Sequence, residues 1–217
     1  MLDNHYVSSS SRTSYSSLVS QALQQSSHRQ RLSPTKMRRR QALLNAAFEL
    51  ANTGTLHELN IQAIVKRAKT TRTTAYNYFE NSDALISELL LQWFSQCLEE
   101  AAKQLDSLSH FGGLENNNSQ NIAILLAKMY QHPKMIALLL HGLSSCSQYR
   151  ATQQYHQALT IFLTVNQQPE QAKLLFHGAL VALASGADFA TTISTLDQNS
   201  LSTHTPKDIA NATIPIH

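Results

Sequence analysis

The stretch Asn60 to Phe79, NIQAIVKRAKTTRTTAYNYF, constrains this chain more than any other. Ile61, Ile64, Val65 and Ala68 recur at i, i+3, i+4 and i+7, one apolar face of a short helix. Asn60 stands just before that face, where its side chain can accept from a free backbone N–H. Lys69-Thr70-Thr71 breaks the pattern. Thr71 is placed to cap a second helix, whose inner stripe is Ala75, Tyr78 and Phe79. Arg72, Thr73, Thr74 and Asn77 are left on its outer face, and such side chains donate to base edges and phosphates. A short helix with this face, braced by another before it, has the geometry of a helix-turn-helix reader.

The flanks supply more helix. Ser33-Pro34-Thr35 marks a boundary, and Lys36 to Asn52 reads as a helix with Leu43, Leu44, Ala47, Phe48, Leu50 and Ala51 on a broad inner face. Arg38, Arg39 and Arg40 sit at its exposed start, where the helix dipole favours acids. A basic cluster set against its own helix calls for an external anion, and phosphate backbone is the natural one. Gly54 is expected to stop this helix in a left-handed or turn conformation. Asn81 or Ser82 caps the next helix, with Asp83 in its first turn. Leu85, Ile86, Leu89, Leu90, Trp93, Phe94, Cys97 and Leu98 run down one side of it, to about Leu108.

From Arg38 to Leu90 the chain resembles the DNA-binding domain of the TetR family of transcriptional repressors. The resemblance rests on RRRQALLNAAFELANTG, on T-R-T-T-A-Y-N-Y-F, on the Asn-Ser-Asp turn and on LISELL. Its most diagnostic part is Tyr-x-Tyr-Phe followed six residues later by Leu85. The resemblance implies an all-α fold, a three-helix DNA-binding domain followed by a helical bundle. It implies a dimeric repressor of a palindromic double-stranded DNA operator, released by a small-molecule effector seated among residues 85–190. The implied DNA-binding set is Arg38, Arg39, Arg40, Gln62, Lys69, Arg72, Thr73, Thr74, Tyr76, Asn77 and Tyr78. Within it Tyr76 contacts phosphate, Gln62 reaches a base or phosphate, and Arg72, Thr73, Thr74 and Asn77 lie closest to bases. The homodimer implied is a four-helix bundle from the last two long helices of each subunit. This sequence departs from the family in the turn, where Lys69 and Thr70 replace Gly and an apolar residue. Lys69 is strained if its φ is positive. The Lys that often precedes the fourth helix is Ser82 here.

Four segments are expected: a disordered Ser/Gln-rich tail over 1–33, a DNA-binding domain over 34–82, a regulatory and dimerisation domain over 83–196, and a loose tail over 197–217. Within the third, helices are expected over 121–130, 133–145, 148–165 and 169–189, and no alternating β pattern follows Pro34. Charge is split the same way. Residues 1–72 hold eleven of the 17 Lys and Arg against three acids, while residues 73–217 hold six against eleven. A basic end on an acidic body is the footprint of a nucleic-acid-binding module attached to something else.

Other classes fare worse. His132, His141, His156 and His177 lie apart, with no zinc-site spacing, so neither metal nor cofactor is expected. No glycine-rich phosphate loop or nucleophile elbow occurs, so no catalytic residue is assigned and an enzyme is not expected. Cys97 and Cys146 read as buried thiols. No run approaches a membrane span, and residues 1–30 lack the apolar core of a secretory signal, so a soluble cytoplasmic protein is expected. Two rivals remain. One is a helical protein whose small domain serves protein interaction or non-specific DNA binding, as the Lys69-Thr70 turn would favour. The other is a small-molecule-binding or catalytic bundle, against which the charge split argues.

Overall fold

A computed structural model describes residues 14–26, 33–54, 59–110, 118–144, 149–163 and 169–201. In chain order the helices are α1 (Tyr15–Ser26), α2 (Pro34–Thr53), α3 (Ile61–Arg67), α4 (Arg72–Tyr76), α5 (Ser82–His110), α6 (Asn118–Tyr130), α7 (Pro133–Ser144), α8 (Tyr149–Leu163), α9 (Pro169–Ala184) and α10 (Phe189–Leu201). No strand occurs among the described residues, and the all-α expectation holds.

The small head is built from α2, α3, α4 and the start of α5. Leu43, Leu44, Ala47, Ile64, Val65, Ala75, Phe79, Leu85 and Leu89 meet in its interior. The 29-residue α5 leaves the head and runs through the rest of the molecule. There Phe94, Leu98, Leu125, Leu126, Tyr155, Phe162 and Phe176 fill the space between α5, α6, α8 and α9. Cys97 lies in this core as a free thiol, and burial pushes its pKa up to about 12, which makes it a small hydrophobe. Cys146 falls outside the described residues.

The head is also clamped to the body from the side. Lys134, at the start of α7, donates to the carbonyls of Thr53 (3.2 Å) and Gly54 (3.1 Å), so a cation sits on the negative end of α2. The His132 ring meets Phe48 of α2 edge-on at 5.1 Å. Between them lies a cleft of about 440 Å³, lined also by Glu49, Asn52, Arg67 and Gln131.

Three expectations are corrected here. Residues 15–26 are not a disordered tail: they form α1, which packs on α5 and α8 with Tyr15 and Val19 buried. Residues 1–13 and 27–32 fall outside the described residues. The helix expected over 169–189 is two. α9 ends where Gly186 turns left-handed at φ 91°, Ala187 N–H returns to the Ala182 carbonyl and Gly186 N–H to that of Leu183. Asp188 then caps α10 by accepting from Thr191 N–H at 3.0 Å. That bond holds its carboxyl below the usual range. α10 carries order to Leu201, so the loose tail does not begin at 197, and residues 202–217 fall outside the described residues. Gly54, expected to be left-handed or turning, is extended (φ −94°, ψ −167°): its N–H makes the last helical bond, to the Leu50 carbonyl, and its extended backbone ends the helix.

Candidate nucleic-acid interface

The interface follows from how α3 and α4 begin and end. The Asn60 side chain accepts from Ala63 N–H at 3.0 Å and starts α3. α3 closes in a paired C-terminal turn, with Thr70 N–H bonding the Val65 carbonyl and Lys69 N–H that of Lys66. This closure places Lys69 in the left-handed region at φ 51°, where a side chain is costly and glycine is at ease. Lys69 is therefore strained, as its departure from the family turn implied. Thr71 starts α4 immediately, its hydroxyl accepting from Thr74 N–H at 3.2 Å. Ala75 and Phe79 anchor α4 in the head core.

With α4 seated, its outer face is fixed. Arg72, Thr73, Tyr76 and Asn77 are exposed, and Tyr76 leaves 51% of a large aromatic surface in solvent. Gln62 of α3 is exposed beside them, and its Oε1 accepts from Arg72 Nη2 at 2.6 Å. Lys69 projects from the turn, and Arg38 and Arg39 are exposed at the start of α2. No ion pair among the described residues holds Arg38, Arg39, Lys69 or Arg72. Cations free of ion-pair partners on one head can neutralise phosphates.

Three members of the expected set are placed differently. Arg40 is half-buried, paired with Glu88 of α5, and its guanidinium lies 5.2 Å above the Phe79 ring. It ties α2 to α5, so its charge is engaged within the head. Thr74 is half-buried and its hydroxyl is engaged with that of Thr71 at 2.9 Å. Tyr78 is half-buried against the core, as its place in the inner stripe required. Sequence reasoning missed Glu88 and Glu49, which take up Arg40 and Arg67. They lie 48 and 18 positions from their partners, and no local pattern reports such a pairing.

Among the described residues no three His, Cys, Asp or Glu side chains stand together to hold a metal. None of the described helices is long and apolar enough to cross a membrane. His156 and His177 are close, with ring centroids 5.6 Å apart. His177 is fixed by the Lys173 carbonyl (2.7 Å) and lies 3.4 Å from the Tyr155 hydroxyl.

A braced, capped short helix with a polar outer face on a basic head defines a helix-turn-helix protein with an appended helical body. Residues 43–89 match the family model described as bacterial regulatory proteins, tetR family. The whole fold is similar to a TetR transcriptional regulator from Rhodococcus sp. RHA1, at 16% identity and a TM-score of 0.55, covering 79% of this chain and 99% of that one. It is also similar to the regulator FadR from Bacillus subtilis in complex with stearoyl-CoA (14%, TM-score 0.53, 75% and 97% covered). A third likeness is the fatty acid degradation regulator FadR from Bacillus halodurans (15%, TM-score 0.51, 75% and 98% covered). No curated protein matches. The resemblance read from residues 38–90 is thus borne out: a TetR-type helix-turn-helix domain heads an all-helical body with the fold of TetR-family regulators.

Proposed function

We propose that this protein is a dimeric, sequence-specific DNA-binding repressor whose hold on a palindromic operator is released by a small-molecule effector, acting in the cytoplasm and without catalysis. The observation that carries the reading is the exposed polar face of α4, held by caps at Asn60 and Thr71 and surrounded by cations without ion-pair partners. α4 enters the major groove, with Arg72, Thr73 and Asn77 at base edges and Tyr76, Lys69, Arg38 and Arg39 at phosphates. The head of residues 34–82 reads DNA and the body of residues 83–196 regulates it.

The dimer is formed by the outer face of α9 with α10. Leu174 and Val181 are 75% and 53% exposed on that face, and Gly178 lies between them. A mid-helix glycine costs about 1 kcal/mol against alanine. Among the described residues beyond its own helix, a Cβ on Gly178 would meet no atom within 4 Å, so none of them requires the glycine. A helix from a second copy, approaching closely, does. Among the described residues the last two helices are α9 and α10, and this reading takes them in place of the 148–165 and 169–189 pair expected from sequence.

The effector enters the body among α5 to α9. The buried Trp93 Nε1 and Asn121 Nδ2 have no hydrogen-bond partner among the described residues. Buried donors left this way are costly, and a ligand's polar atoms would satisfy them. The stearoyl-CoA bound by the Bacillus subtilis regulator supports an effector with a long apolar chain and a polar head. Trp93 is the single tryptophan of the chain, so its fluorescence reports the event directly. Titration with stearoyl-CoA is expected to change that emission and to weaken operator binding.

Selection of bound sequences from random duplex DNA, followed by a salt titration, tests the reading. A palindrome with a steep salt dependence is expected. Binding without enrichment would leave only a non-specific DNA-binding or protein-interaction head.

A further inference from the structure

Gln62 and Arg72 come from different helices yet are joined at 2.6 Å, Arg72 Nη2 donating to Gln62 Oε1. Both are exposed, so burial does not force the contact. Gln62 is the second residue of α3 and Arg72 the first of α4. The turn between them is held at Lys69 and Thr70 by bonds back into α3, so the two side chains have a fixed origin. A guanidinium carries five donors in a rigid fork. Whichever Nη2 hydrogen Gln62 takes, one complete two-donor fork remains, either Nη1 with Nη2 or Nε with Nη2. Two parallel donors match the O6 and N7 acceptors of guanine in the major groove.

We infer that Gln62 is a positioning residue that holds the Arg72 guanidinium in place for bidentate recognition of a guanine in each operator half-site. The inference rests on the proposed DNA-reading function and adds to it a named base and a residue that acts through another. An arginine at the start of a five-residue helix has few neighbours of its own to limit its rotamers. The amide of Gln62 supplies that limit, so less side-chain freedom is lost when the base is bound. Gln62 thus acts through Arg72 and touches neither base nor phosphate itself.

The test compares Gln62→Met, Gln62→Glu, Arg72→Ala and the unmutated protein. Each is put through selection from random duplex DNA and then titrated on the selected site and on single-base variants of it. The methionine is near-isosteric and accepts no hydrogen bond from the guanidinium. The unmutated protein is expected to enrich a palindrome with one G·C pair per half-site that Arg72→Ala no longer prefers, a discrimination of about 5- to 150-fold. Gln62→Met should lower discrimination at that same pair by about 5-fold, the net worth of one ordinary hydrogen bond, since the contact is exposed to solvent. Salt slope and melting temperature should be unchanged, since no phosphate contact or buried surface is touched. Gln62→Glu keeps an acceptor at the same reach and should restore the preference. An unchanged guanine preference in Gln62→Met would overturn the inference, as would loss at a different base pair with the guanine kept. If the unmutated protein enriches nothing, the DNA-reading function itself fails.

Discussion

Lys69 carries a conformational cost at a single residue. Its φ of 51° belongs to glycine, and the paired turn that ends α3 leaves no other conformation open. Lys69→Gly is expected to relieve about 1 kcal/mol, and so to raise the melting temperature by about 2–4 °C. If Lys69 contacts phosphate, the same change should flatten the salt dependence of DNA binding by about 0.9 in log–log slope. Calorimetry and a salt titration read the two effects separately. His156 gives a pH expectation at the same scale. Partial burial lowers its pKa, and His177 and Lys173 beside it lower it further. The unfolded chain then binds the proton more readily than the folded one. Stability is full above the unfolded value of about 6.5 and declines as pH falls from there toward the folded pKa. His156→Gln should remove that part of the acid slope in melting temperature measured between pH 7 and 5.

At the scale of elements, α1 and the break between α9 and α10 teach opposite lessons. The composition of the first 33 residues, rich in Ser and Gln, argues for disorder, yet Tyr15, Val19 and Leu23 fall at four-residue spacing. That narrow stripe finds the face of α5 and α8. Asp106 of α5 completes the docking by accepting from the backbone N–H groups of Tyr15 (2.7 Å) and Ser16 (3.0 Å), a cap supplied from 90 residues away. Deleting residues 1–26 is expected to cost about 3–6 kcal/mol, from two buried side chains at about 1.5–3 kcal/mol each, or about 6–24 °C in melting temperature. Asp106→Ala should take away a smaller part of it, about 1–2 kcal/mol. An unchanged melting temperature in the deletion would mean that α1 contributes nothing to the fold. The other break was open to local reading: Ser185-Gly186-Ala187-Asp188 holds a left-handed glycine and then a capping acid, which is a stop followed by a start.

For the whole molecule the decisive question is which face meets a second copy. Ala179 is only 5% exposed and packs inside its own chain, so a charge there would attack the body's core. Leu174 and Val181 point the other way. The double change Leu174→Glu and Val181→Glu is expected to leave helicity intact and turn the proposed dimer into a monomer, measured by light scattering. Affinity for a two-half-site operator should then collapse, because the second head loses its tether and its high effective concentration. Neutralising Arg38 and Arg39 together should instead weaken binding to every duplex, with a fall in salt slope of up to about 0.9 for each lost phosphate contact. A dimeric double-glutamate variant would remove the α9 face from consideration.

The head was legible because its signals are local. The caps at Asn60 and Thr71, the inner stripe of Ala75, Tyr78 and Phe79, and the strained place of Lys69 each depend on neighbours within a few positions. Helical periodicity likewise announced α2, α5, α6, α7 and α8 to within a few residues. Tertiary structure alone decided which arginines are offered outward, because Glu88 and Glu49 reach Arg40 and Arg67 across the fold. It alone decided that a Ser-rich segment becomes α1, because an isolated helix of twelve residues is marginal until a groove and a remote carboxylate receive it. And it alone turned Leu174, Gly178 and Val181 outward and Ala179 inward, since a helix of small and apolar residues carries no record of which side its own chain will cover.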